Sequence, residues 1–298
     1  MRKKLTAVLL AATMLLTSGV TVFADRVDAV IDKPYLALGA ALSPQEQMTV
    51  LSLLGLSDIN VDDYDIISIT NADEHEYLDK YLDASIIGTR ALSSVLVVGK
   101  EAGNGIHVTT KNISYCTEGM YRNALLTAGI EDADITVAGP FSISGTAALV
   151  GAIKAYETMT GEEIDDENLD AANDELVLTG KLVEDIGDSE KAEDLMALVK
   201  QEVAENKLTS AEDIQNVVDQ ACDQLDIQLS EENQKQIAEL MKKIEGLDLD
   251  VDKLKDQAKD LYQKLEDLDF HVDKESVGNF FTRIIDAIVN FFQGLFGK

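Results

Sequence analysis

Apolar positions along this chain keep two rhythms. In the first half they come as short β-branched or alternating runs at Ile66 to Thr70, Ala91 to Val98, Ile106 to Ile113 and Ile135 to Ala138, which predict strands. Helices are expected between them. Ser43-Pro44-Gln45-Glu46 is a capping box with proline at the first helical position, and its helix should run through Met48, Leu51 and Leu54 to Gly55. Thr117 is placed to cap a helix whose Met120, Tyr121, Ala124, Leu125 and Ala128 share one face, with Gly129 ending it. Gly103-Asn104-Gly105 reads as a hairpin turn between the second and third runs, and Gly139-Pro140 as a strand break. Ser144 is expected to cap a helix carrying Ala148, Leu149, Ile153 and Tyr156. A faint echo, LLGL then a strand and LLTAGI then a strand, hints at an internal duplication.

From Gly161 the apolar residues switch to helical spacing. Residues 161–272 hold 33 acidic residues against 11 lysines and no proline, so each helix buries one stripe and solvates the rest. Thr209 and Glu212 form a capping box. QLDIQLSEE, GLDLDVDKL and DLDFHVDKE repeat at 21 to 22 residues, with Ser230, Asp252 or Asp273 in the cap position. That repeat predicts short consecutive helices rather than one coiled coil, which the apolar spacing alone would allow.

The last stretch, 273–298, reads as an amphipathic helix. A narrow stripe of Asn279, Arg283, Asp286, Asn290 and Gln293 faces a wide apolar side of Phe280, Phe281, Ile284, Ile285, Ile288, Phe291, Phe292, Leu295 and Phe296. That face is the candidate membrane or partner contact: it is expected to fold back on its own chain, lie in a membrane interface or self-associate.

The pattern therefore gives an α+β chain: a leader over 1–24, an α/β domain with a small mixed sheet over 25–160, an acidic helical array over 161–272, and the terminal helix. The leader has Arg2, Lys3 and Lys4, an apolar core from Leu5 to Leu16, and Val22-Phe23-Ala24 at the cleavage site. Its apolar run is too short for a dedicated spanning helix.

Charge narrows the function. With a formal net charge of −30, the chain lacks the basic footprint that nucleic acid requires. The lack of tryptophan leaves a stacking surface for sugars or bases poorly supplied. Cys116 and Cys222 lie in different expected domains, and their count gives no disulfide framework.

Candidate chemistry gathers at the end of the strand at Ile66 to Thr70. Asn71, Asp73, Glu74 and His75 stand where that strand hands over to a helix, and strand carboxyl ends are where ligands collect in α/β sheets. They would supply an acid and a base or bind a polar ligand; the alternative is a polar turn and helix cap. Arg90 and Ser144 join them as candidate ligand contacts. No P-loop, GxSxG elbow or HExxH pair occurs, so no catalytic residue, metal centre or cofactor is implied. Asp248, Asp250 and Asp252 imitate a calcium loop but lack its later glycine and glutamate.

The runs Thr70-Asn71-Ala72-Asp73-Glu74-His75, Tyr77-Leu78, Ile87-Gly88-Thr89-Arg90-Ala91-Leu92-Ser93-Ser94 and AGPFSISGTAAL from Ala138 to Leu149 resemble the YpuA-like family of secreted bacterial proteins, domain of unknown function 1002. The resemblance implies an exported protein and transfers no activity. The sequence thus points to a secreted, envelope-associated protein, a non-catalytic binding or scaffold protein on the outer face of the cell. Its partner would be the membrane surface or another envelope protein, reached through the terminal helix. The competing expectation is a secreted hydrolase, or a metal- or ligand-dependent enzyme, using Asp73, Glu74 and His75.

Overall fold

Strict alternation along three strands decides which side of the sheet each residue faces. Tyr35 and Ala37 of β1 (Tyr35–Gly39), Val95 and Val97 of β3 (Ser94–Gly99), and Ile135 and Val137 of β5 (Ala133–Ile143) enter one apolar cluster. Leu36, Leu96 and Ala138, one residue out of step with them, enter another on the opposite face. These contacts come from a computed structural model that describes residues 33–57, 60–161, 163–247 and 249–257. The expected leader, the terminal amphipathic helix and the array beyond residue 257 lie outside the described residues.

The chain is α+β. Its five-stranded mixed sheet has the order β2-β1-β3-β5-β4, with β2 (Asp65–Ile69) and β4 (Ile106–Ile113) at the edges. β1 runs parallel to β2 through α1 (Pro44–Leu53), and β4 parallel to β5 through α4 (Glu118–Thr127). β3 joins the two halves by antiparallel pairing with β1 and β5. The sequence echo falls on this symmetry. α1 and α4 each end with a backbone bond that reaches back five residues, from Leu56 N–H to Leu51 O at 2.7 Å and from Ile130 N–H to Leu125 O at 2.9 Å.

α1 covers one face through Val50 and Leu54, while α4 and α5 (Thr146–Thr160) cover the other through Met120, Leu125, Leu149 and Ile153. Leu36, Leu125 and Leu149 are at most 1% exposed; burying such a side chain stabilises by about 1.5–3 kcal/mol.

The expected hairpin does not form. β5 lies between β3 and β4, and the Gly103-Asn104-Gly105 turn wraps the Asp132 carboxylate, which accepts from Gly103 N–H at 3.0 Å and Gly105 N–H at 2.7 Å. Burial explains the order. β5 has Ile135 and Val137 on one face and Ala138 on the other, whereas β4 exposes His107, Thr109 and Asn112 and is suited to an edge.

Gly139-Pro140 does not break β5 either. Lys111 pairs with Ala138 and Ile113 with Ile143, so the proline falls in a bulge where no ladder bond is required of it. Asn112, at φ 59°, donates to Gly139 O at 3.0 Å across that bulge.

Beyond the sheet, α6 (Asp166–Ile186), α7 (Ser189–Asn206), α8 (Ala211–Leu225) and α9 (Glu231–Glu245) pack as a helical array. α6 serves both bodies, with Ala172 and Leu176 in the sheet-side cluster and Ala171, Leu178 and Leu182 in the helical one. The repeat does mark separate short helices in the described part. Ser230 caps α9, accepting from Asn233 N–H at 3.2 Å. Two cap positions move. Ser210 rather than Thr209 caps α8, and Asp250 rather than Asp252 accepts the first N–H groups of the helical residues 251–257. Cys116 and Cys222 are free thiols buried in different clusters.

Candidate functional site

Local sequence builds the switch at the end of β2. Thr70 is the N-cap of α2 (Asn71–Leu78): its hydroxyl accepts from Asp73 N–H at 3.1 Å, and the Asp73 carboxylate takes the Thr70 N–H at 2.7 Å. Asp73 also receives the Lys154 ammonium of α5 at 2.5 Å. The Lys154 hydrogen bond, followed by those from Thr70, holds its carboxyl down at about 2.

Glu74 points the other way, into the junction of α2 with α5. It is 1% exposed and accepts from Thr146 Oγ1 at 2.7 Å and Asn71 Nδ2 at 3.1 Å. Burial pushes its pKa up, and the Thr146 and Asn71 hydrogen bonds oppose that. Ser144 Oγ lies 3.2 Å from Thr146 Oγ1, so Asn71, Glu74, Thr146 and Ser144 form one continuous chain of polar groups, buried at Glu74 and Thr146 and half-buried at its two ends. Cys116 and Tyr121 adjoin it; burial raises the Cys116 thiol to about 12.

Ser144 is not the cap of α5. Gly145 occupies that position at φ 100° with no side-chain bond, and a β-carbon there would lie 2.7 Å from the Tyr121 hydroxyl. The Ala148 N–H of α5 is instead met by Ser93 Oγ at 2.9 Å.

His75 and Arg90 stand apart from this chain. His75 Nδ1 pairs with Asp79 one turn along α2 at 2.5 Å, and that hydrogen bond raises its pKa. Arg90 reaches the opposite face of the sheet, donating to Ala41 O at 2.8 Å and pairing with Glu46 at 3.0 Å beside the start of α1. The sequence-derived set therefore divides into a polar chain centred on the buried Glu74, a cap with its ion pair, and two separate surface pairs. Glu74 can hold a proton in this setting, but its burial keeps a solvent-borne substrate away. Among the described residues, no group of three or more His, Cys, Asp or Glu is arranged to hold a metal ion.

Sequence reasoning missed a second polar centre. Lys200 of α7 and Glu175 of α6 are both fully buried and 2.9 Å apart, with Lys200 also donating to Asn123 O at 2.9 Å and Thr127 Oγ1 at 3.1 Å. The signal was present. Lys200 falls among Met196, Val199 and Val203 on an apolar stripe, and Glu175 beside Ala172 and Leu176 on another. Opposite charges at core positions of neighbouring helices mark such a pair.

Residues 38–261 match the family described as Protein of unknown function (DUF1002). The chain is 38% identical over 296 residues to the Uncharacterized protein YpuA of Bacillus subtilis (strain 168), covering 98% of this chain and 100% of that protein. No solved structure matches it. On the length of that match and the near-complete alignment with YpuA, the chain belongs to the DUF1002 family.

Proposed function

We propose that this chain is an exported, non-catalytic binding or scaffold protein of the cell envelope, attached at the outer face of the membrane through its terminal helix. One observation carries the non-catalytic part: the strand-end polar groups are committed to internal bonds. Asp73 closes the α2 cap and pairs with Lys154, Glu74 is enclosed by Thr146 and Asn71, and the Arg90 guanidinium donates to the Ala41 carbonyl in the loop before α1. Groups held this way fix a shape and leave the exterior to make contacts. A hydrolase built on the same cluster is less well supported. A carboxylate held at about 2 in an ion pair is a poor proton donor near neutral pH, and Glu74 has no exposed surface to offer a substrate.

The leader pattern supports export, and the apolar face of Phe280, Ile284, Ile288 and Phe292 supports attachment. The test is flotation on phospholipid vesicles of the protein starting at Asp25, with and without residues 276–298. The intact form is expected to float and the shortened form to stay in the dense fraction. Equal partitioning of the two ends the attachment, and retention of a fused reporter inside the cytoplasm ends the export.

A further inference from the structure

The two edges of the sheet are finished differently. Along β4 the outward main chain is met by the protein itself, where Glu118 at the start of α4 accepts from Thr110 N–H at 2.8 Å. On β2, Asp65 N–H reaches Pro34 O at 3.0 Å and Ile69 O takes Ala40 N–H at 2.8 Å, so the main-chain groups of Asp65, Ile67 and Ile69 serve the ladder with β1. Those of Ile66 and Ser68, one step out of phase, point away from it. Among the described residues, nothing bonds their N–H or C=O groups on that side.

An edge left open in this way is a template for a further strand, and folded proteins usually blunt one with a lysine, a proline or a bulge. β2 carries none of these. Its sequence is Asp-Ile-Ile-Ser-Ile, with Ile66 40% exposed and Ser68 exposed two residues on.

We propose that the β2 edge receives an extended, basic segment of another protein as a sixth strand. Charge names the kind of partner. Asp62, Asp63 and Asp65 are exposed where the edge begins, and Asp65 and Ile66 face opposite sides of the sheet. A strand that alternates basic and apolar residues answers both, its cations beside the carboxylates and its apolar side chains beside Ile66. A second copy of this chain would bring a further net charge of −30 to the contact, which opposes self-pairing. The inference deepens the reading of the chain as a binding protein and rests on it. It makes no use of the terminal helix, so peptide binding and vesicle flotation can fail independently.

The probe is the peptide acetyl-Lys-Val-Lys-Val-Lys-Val-Lys-amide, titrated into the protein starting at Asp25 and followed by calorimetry and by amide NMR. It is expected to bind and to shift the Ile66 and Ser68 amide signals, while the analogue with glutamate for lysine does not bind. Ser68→Pro removes an outward N–H and leaves the β1 ladder intact, and is expected to weaken binding by about tenfold. Absence of binding overturns the proposal, as does equal affinity for the glutamate analogue or in Ser68→Pro. A concentration-dependent dimer that Ser68→Pro abolishes overturns it too, by assigning the edge to a second copy. Should Ser68→Pro fail to fold, Asp62→Asn with Asp63→Asn decides: several-fold weaker binding is expected, and unchanged affinity overturns the proposal.

Discussion

Lys200 holds its ammonium 2.9 Å from Oε1 of Glu175, with neither side chain reaching solvent. Burial lowers the Lys200 pKa while the Glu175 carboxylate opposes the shift. The pair joins α7 to α6, and the bonds to Asn123 and Thr127 extend it to α4 beside the sheet. Lys200→Met leaves a buried carboxylate with no counter-charge, so it is expected to cost about 3–5 kcal/mol in urea unfolding at neutral pH. Lys200→Met combined with Glu175→Leu should recover most of that loss. A double variant as unstable as the single one would show that packing, not charge, holds the junction.

Asp73 gives the protein an acid-sensitive element. Its carboxyl is held at about 2 against an ordinary 3.8, so the folded state binds this proton less readily than the unfolded chain. The stabilisation is complete above the ordinary value and is lost as the pH falls from there through the folded one. A shift of this size corresponds to about 2 kcal/mol. Asp73→Asn should remove about that much at pH 7, and the gap from the parent should close as both are titrated towards pH 2 in chemical unfolding.

Glu202 of α7 acts in the opposite sense. Burial, and then the neighbouring Glu205, raise its pKa from 4.5 to about 7, and its Oε2 has no partner among the described residues. Here the folded state binds the proton more tightly, so stability falls as the pH climbs from the ordinary value to the raised one. Glu202→Gln keeps an acceptor for the Asn206 amide, which lies 2.6 Å from Oε1. It should stabilise the protein by about 1–3 kcal/mol at pH 8 and have little effect at pH 4. Thermal melts at the two pH values check this, and equal effects at both would show that titration plays no part.

Gly151 lets α5 lie close on the sheet. A β-carbon there would sit 2.8 Å from Ala37 Cβ and 3.1 Å from Val95 Cγ1, two residues paired across the β1–β3 ladder. Alanine is the better helix former, but the sheet cannot retreat without disturbing the β1–β3 ladder. Gly151→Ala is therefore expected to lower stability by about 1–3 kcal/mol, read as a fall in the melting temperature.

What could be read in advance follows the range of the interactions involved. The Ser43–Glu46 cap depends on residues three apart and stands where the sequence puts it; the Thr70–Asp73 cap has the same spacing but starts from a residue that reads as the end of a strand. The place of β5 depends on residues far from it in the chain, and the glycines at 103 and 105 look the same whether they close a hairpin or encircle Asp132. Within the candidate cluster, the cap role of Asp73 was legible from residue type. The descent of Glu74 into the core was not, because Thr146, its partner, lies 72 residues further on. Lys200 and Glu175 were hidden differently: in a segment so acidic, two charges on apolar stripes are easily counted with the solvated ones.

The central place of a late strand also sets an order of assembly. As a nascent chain lengthens, β1, β2 and β3 can zip together once Gly99 has emerged, but β4 then has no partner to hold it. It must stay single until Ala133 to Ile143 arrive and slot in between, bridging both halves at once. A chain stopped short of Ile143 would carry two loose edges, each open to pairing with a stranger.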